Sequence, residues 1–179
     1  FSLTAFSSVC SQPTYTELSK IAESQVGVTE VGGNNKGTKV KEYLASVGLP
    51  EGNAWCAAFV AWVFNKIGLK HSITAWSPTS YNKKDVIYTD GELKTTFSKN
   101  DIMVMSLSYN KFKKDKSRYK GIGHTGIVKT LKTKSVDTWE GNTNDAGTRD
   151  SRTGDGVYRK NRLLNKNIHI TRWQKASGQ

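Results

Sequence analysis

Asn53-Ala54-Trp55-Cys56-Ala57-Ala58-Phe59-Val60-Ala61-Trp62-Val63-Phe64 is the stretch whose reading decides the fold. From Ala57 to Phe64 no residue is charged, and Asn65, Lys66 and then Gly68 read as a helix end. The run is shorter than a membrane span. A helix that is apolar all round belongs in the middle of a domain, with other elements on every side. Cys56 falls at its first turn, where unpaired backbone N–H groups and the helix dipole favour a thiolate over a thiol. A cysteine beside alanines is also a good small buried hydrophobe. What the rest of the chain can bring to Cys56 therefore decides between packing and chemistry.

The 179 residues fit one domain, long enough to bury a core. Residues 1–13 read as a lead-in or the remnant of an export segment, and 14–179 as the domain. Phe1 to Cys10 shows no basic start, long apolar run or small-residue cleavage site, and Ser8-Val9 before Cys10 fits lipid modification poorly. Lys and Arg outnumber Asp and Glu by 27 to 15, a net charge of +12. Such a surface gathers polyanions, which gives the sign of a partner but not its identity. Cys10 and Cys56 cannot build a disulfide framework, and no C-x-x-C pair offers a zinc ribbon.

Taken in order, Pro13 opens a helical period with Thr14 or Thr16 as caps, Leu18, Ile21, Ala22, Gln25 and Val26 on one face, and Gly27 at its close. A loop around Gly32-Gly33-Asn34-Asn35 precedes a second helix with Val40, Tyr43, Leu44 and Val47 on one face, ended by Gly48. Between Lys70 and Asn100 the pattern specifies only turns at Ser77-Pro78-Thr79 and Thr89-Asp90-Gly91 and a short helix over Ser80 to Asp85. Beyond Asn100 the period becomes that of strands: Ile102 to Met105, Gly123 to Val128, Ser135 to Trp139, Val157 to Arg159 and Ile168 to Ile170. Ser108 to Lys120 is a polar, basic insertion and Thr143 to Gly156 a turn-rich loop. Helices first and antiparallel strands second predict the α+β class.

A thiol nucleophile needs an imidazole to hold it as thiolate and to protonate a leaving amine. His71 follows a helix end in a basic stretch and reads as a surface residue; His169, in a closing strand, reads as structural. His124 lies between Gly123 and Thr125-Gly126 at the head of an apolar strand, where small neighbours leave the ring accessible. The imidazole in turn needs a group that fixes its tautomer. Glu140 and Asn142 alternate at the end of the next strand, so both side chains are expected on one face, beside the ring.

Trp55-Cys56-Ala57-Ala58-Phe59-Val60 opening a helix, Gly123-His124-Thr125-Gly126-Ile127-Val128 on a strand, and Glu140-Gly141-Asn142 after it resemble, in that order, the CHAP domain. The name means cysteine, histidine-dependent amidohydrolase/peptidase, a papain-like group of bacterial and phage cell-wall hydrolases. The resemblance runs roughly from Leu18 to Arg162. It implies a papain-like fold with N-terminal helices packed on an antiparallel sheet. It also implies cleavage of a peptidoglycan amide, either the N-acetylmuramoyl-L-alanine bond or one in the stem peptide or cross-bridge. Cys56 would attack the carbonyl, His124 would act as base and then acid, and Glu140 and Asn142 would orient His124. The Cys56 backbone N–H is a candidate oxyanion donor, and Trp55 and Trp139 are candidates for lining the substrate groove, with packing in the core the equal alternative. Some phage members carry an Asp-rich calcium loop; the Gly/Asn/Lys stretch here predicts no calcium and no other cofactor or metal. The expected partners are peptidoglycan, anionic wall polymers and, for a delivered toxin, an immunity or inhibitor protein. A monomer in the cell wall, periplasm or extracellular space, or associated with a phage, is expected, with no membrane span. The alternative is a non-catalytic basic module for anionic wall polymer or nucleic acid, supported by Lys111-Phe112-Lys113-Lys114 and Arg118-Tyr119-Lys120. No recognised nucleic-acid motif is present, so nucleic acid is not among the expected partners.

Overall fold

The computed structural model describes residues 12–144 and 154–176. Three helices come first: α1 (Tyr15–Ser24), α2 (Thr38–Ala45) and α3 (Cys56–Lys66). Seven strands follow: β1 (Val86–Thr89), β2 (Glu92–Leu93), β3 (Ile102–Ser108), β4 (Ile122–Leu131), β5 (Ser135–Thr143), β6 (Gly156–Leu163) and β7 (Ile168–Gln174). The strands form one antiparallel sheet in the order β2-β1-β7-β3-β4-β5-β6. This is the α+β arrangement expected of a papain-like fold. No helix among the described residues is long and apolar enough to cross a membrane.

The helices begin where local chemistry satisfies their free N–H groups. Thr14 caps α1 in a reciprocal box, its hydroxyl accepting from Glu17 N at 3.2 Å while the Glu17 carboxylate accepts from Thr14 N at 2.8 Å. Leu18 and Ala22 of α1, and Val40, Tyr43 and Leu44 of α2, face α3 and are buried. All nine residues from Cys56 to Phe64 are buried, because α1 and α2 cover one side of α3 and β4 and β5 the other. Each buried Val or Phe there contributes about 1.5–3 kcal/mol. Gly141 of β5 is required by this packing: a Cβ on it would lie 2.7 Å from the Trp55 ring and 2.8 Å from Phe59 Cβ.

The sheet is apolar on both faces near its centre. Ile102 and Val104 of β3 join the helix-side core, whereas Met103 and Met105 join a smaller cluster with Ile87, Val136 and Ile170 on the far side. Arg172 of β7 fastens the long segment before β3, donating to Asp85 at 2.7 Å and Asp101 at 2.8 Å.

The structure corrects the sequence reading between Lys70 and Asn100. The short helix lies at Ser77–Ser80, a 3₁₀ turn started by Pro78, and Tyr81 to Asp85 is irregular. The expected Thr89-Asp90-Gly91 turn joins a hairpin that the pattern did not reveal. Asp90 and Gly91 have φ of 56° and 91°, the left-handed pair that a two-residue hairpin turn demands. The strand begun at Ser135 continues through Thr143 rather than ending at Trp139. Residues 1–11, with Cys10, and residues 145–153 of the turn-rich loop lie outside the described residues.

Candidate active site

Cys56 is the first residue of α3, and the preceding Trp55 supplies no side-chain cap. The N-terminus of α3 is fixed instead by a buried polar network drawn from two distant segments. Trp55 N–H donates to Asn142 Oδ1 at 3.3 Å, and Trp55 Nε1 donates to Glu30 Oε1 at 2.9 Å. Asn142 Nδ2 donates to Asn35 Oδ1 at 2.9 Å, while Asn35 N–H donates to Glu30 Oε2 at 2.7 Å. Glu30 and Asn35 thus tie the Gly/Asn loop to the residue before the cysteine.

His124, on β4, is buried and hydrogen-bonded to Cys56. Its Nε2 lies 2.7 Å from Glu140 Oε2 of β5. An ionised carboxylate only accepts, so Nε2 donates and Nδ1 is the nitrogen left for the thiol. Gly126 makes the approach possible: a Cβ there would sit 2.5 Å from Glu140 Cγ. Gly126→Ala should therefore destabilise the fold by about 1–3 kcal/mol, the usual cost of overpacking, and displace Glu140 from the ring. Urea unfolding beside the imidazole proton spectrum of His124 measures both effects.

Glu140 has no exposed surface, yet its oxygens are well supplied with donors. Thr138 Oγ1 donates to Oε1 at 2.7 Å. Arg162 on β6 donates from Nε to Oε1 at 2.7 Å and from Nη2 to Oε2 at 2.6 Å, a two-pronged pair. Burial would push the Glu140 carboxyl up, but hydrogen bonds from Arg162 and His124 and their charges hold it well below the usual carboxylate range. Burial likewise pulls His124 down, and hydrogen bonds with Cys56 and Glu140 together with their negative charge outweigh it, raising the imidazole to about 9. Cysteine, imidazole, carboxylate and guanidinium thus form one connected chain, buried from Cys56 to Glu140.

Three expectations about site residues meet a different geometry. The side chain of Asn142 bonds Trp55, Asn35 and Glu30 rather than His124. The pairing of β5 with β6 shifts between Glu140 and Thr143, and Asn142 has φ of 53°, so the simple alternation that would put it beside Glu140 is broken. Trp55 and Trp139 do not line a groove. Both rings are buried, Trp55 stacked on Tyr43 and Trp139 donating Nε1 to Glu23 at 2.7 Å, because α3 and the sheet close over them. Aromatic groups that do line the cleft over Cys56 are Trp76, 40 % exposed, and Phe112. Thr138 and Arg162 belong to the site but carried no signal in the sequence.

The other two histidines are placed elsewhere. His169 is hydrogen-bonded to Thr89 through Nδ1 and to Ser108 through Nε2, each at 2.8 Å, and burial lowers it to about 4. It is a neutral tie between β7, β1 and the start of the insertion. His71 is half-buried rather than on the surface, its Nδ1 accepting from Ile73 N–H and its ring edge-on to Phe64. Among the described residues no three His, Cys, Asp or Glu side chains cluster as a metal site.

Comparisons with curated proteins and with solved structures gave no match. A family model described as the CHAP domain matches residues 48–142, which span Cys56, His124, Glu140 and Asn142 but not Arg162. The matched segment is more than half of the chain, and the protein belongs to the CHAP domain family, whose members are in general peptidoglycan hydrolases of the amidase or peptidase kind.

Proposed function

We propose that the protein is a cysteine amidase or endopeptidase that cleaves an amide bond of peptidoglycan, with Cys56 as nucleophile. The observation that carries this reading is the buried chain from Cys56 through His124 to Glu140, whose Cys56 end lines a cleft. An imidazole raised to about 9 is protonated at neutral pH, and a protonated ring beside the cysteine favours the thiolate.

The thiolate attacks the amide carbonyl, and the negative charge moves to the carbonyl oxygen, for which the backbone N–H of Cys56 at the start of α3 is one donor. Collapse of the adduct breaks the C–N bond while His124 gives its Nδ1 proton to the departing amine. The neutral imidazole then takes a proton from water, whose oxygen attacks the thioester; the acid product leaves and the thiolate–imidazolium pair returns. Glu140 holds the ring by Nε2 throughout and stabilises its charged form, while Thr138 and Arg162 hold Glu140. Asn142 acts on the other partner, fixing the backbone of Trp55 and through it the position of Cys56. On this reading residues 14–179 form one catalytic unit working at the cell wall.

Digestion of purified peptidoglycan by the protein and by Cys56→Ala, with fragments resolved by mass spectrometry, tests the proposal. New fragments from the unmodified protein alone are expected, and their masses name the bond. No cleavage of any wall type would leave a basic binding module instead.

A further inference from the structure

We propose that Lys111 and Arg118 form a carboxylate-recognising subsite in the cleft over Cys56, so that the protein selects substrates carrying a free carboxylate within a residue or two of the scissile amide. The inference rests on the Cys–His reading of the site. Cys56, Trp76, Phe112, Lys111 and Arg118 line one cleft of about 310 Å³. That volume is near the lower end for ligand pockets, about 300–1,000 Å³, so a group that reaches the two cations is close in sequence to the carbonyl at Cys56. Lys111 and Arg118 are the charged residues of the lining, and no acid faces them there.

The two cations are presented by a fixed wall. The insertion between β3 and β4 lies directly on Gly123, the neighbour of His124. A Cβ on Gly123 would come within 2.5 Å of the Phe112 ring and 2.6 Å of Tyr109. Its two ends are clamped, Tyr109 N–H donating to Gly121 O at 3.0 Å and the Ser108 hydroxyl to Lys120 O at 2.6 Å. Phe112 then organises the charge. The Arg118 guanidinium stacks 4.3 Å from its ring centroid, and the Lys111 ammonium lies 5.1 Å from the same centroid.

Arg118 is oriented by Ile122 O, 3.2 Å from Nη1, and by Asp115, 3.5 Å from Nε, while Nη2 has no protein acceptor among the described residues. Lys111 is exposed and makes no ion pair among the described residues. Two cations around one ring with a single carboxylate beside them repel each other, and an incoming anion relieves that repulsion. A planar guanidinium with a lysine alongside suits a carboxylate in particular, and low-dielectric cleft walls concentrate the field. The stem peptides of peptidoglycan carry carboxyl groups next to amides, which is where this geometry would read them.

The test uses peptidoglycan stripped of its anionic polymers, and the same material amidated with carbodiimide and ammonia. Initial release of fragments should be about fivefold faster from the untreated wall, the size of one partly exposed ion pair. Lys111→Met should bring the ratio close to one, and Lys111→Glu should invert it. Equal release by the unmodified protein, or a preference that survives both substitutions, overturns the subsite while leaving the hydrolase reading intact. If neither wall is cleaved, the hydrolase reading falls. Co-sedimentation of Cys56→Ala protein with the two walls then decides the subsite: tighter binding to the untreated wall supports it, and equal binding overturns it.

Discussion

Replacing Glu140 by glutamine should lower kcat by between about 10² and 10⁴, and should move the alkaline limb of kcat/KM to lower pH. The range spans what a positioned acid–base group contributes and what loss of the orienting carboxylate costs a Ser–His–Asp triad. The direction of the pH shift follows from the charges. His124 is raised to about 9 against its burial partly by the hydrogen bond and negative charge of Glu140. A neutral amide removes that charge, so the imidazole loses its proton at lower pH and the thiolate–imidazolium pair survives over a narrower range.

The same raised value fixes the stability profile of the unmodified protein. His124 contributes stability that is complete below its unfolded value of 6.5 and is lost as pH rises through about 9. Glu140 contributes stability that is present above 4.5 and is lost as pH falls through its depressed folded value. Kinetics on soluble muropeptides from pH 5 to 10 check the activity prediction. An alkaline limb that stays in place in Glu140→Gln would show that the carboxylate does not hold the imidazolium.

Cys56, His124 and Glu140 were legible because each is marked by its immediate neighbours. Cys56 opens an apolar run, His124 is set between glycines at a strand head, and Glu140 ends a stretch of strand residues beside Gly141. Those glycines have physical reasons that only the packed structure supplies, since Gly126 clears room for Glu140 and Gly141 for Trp55. Asn142 makes contacts other than the expected one to His124, because alternation assumes a regular strand and a left-handed residue at a bulge redirects the side chain. For the tryptophans the structure takes the packing alternative. A ring next to a reactive residue in sequence is as readily core as groove, and α3 is covered on both sides. β1 and β2 escaped notice because four and two residues are too short for a period to register. Arg162 was invisible in principle. It sits in Arg159-Lys160-Asn161-Arg162, a run that looks solvated from end to end, and Arg159 in the same run does pair with Glu23 at the surface. The register of β6 against β5, and a side chain long enough to reach diagonally from opposite Val136 to Glu140, distinguish the two arginines.

Arg162→Met should destabilise the protein by about 3–5 kcal/mol at pH 7. The magnitude is that of breaking a buried ion pair from one side. Glu140 is fully buried, and the arginine side chain is 13 % exposed, so water can replace little of what is lost. Methionine keeps much of the arginine stem's volume and removes the two donors, leaving the carboxylate with Thr138 and His124. Because Arg162 holds the Glu140 carboxyl down, its removal lets the carboxyl rise, and the acid limb of stability moves to higher pH. The alkaline limb, which belongs to His124, should not move down, since Glu140 remains charged beside it. This separates the substitution from Glu140→Gln, in which the alkaline limb does fall. The double variant Glu140→Gln/Arg162→Met should be more stable than the sum of the single losses implies, because neither member of the Glu140–Arg162 pair is then left without the other. Urea unfolding at pH 4, 7 and 9 measures each of these differences. An Arg162→Met protein within about 1 kcal/mol of the unmodified one, the scale of a surface pair, would mean that the guanidinium is incidental and that Thr138 and His124 suffice to keep the carboxylate buried.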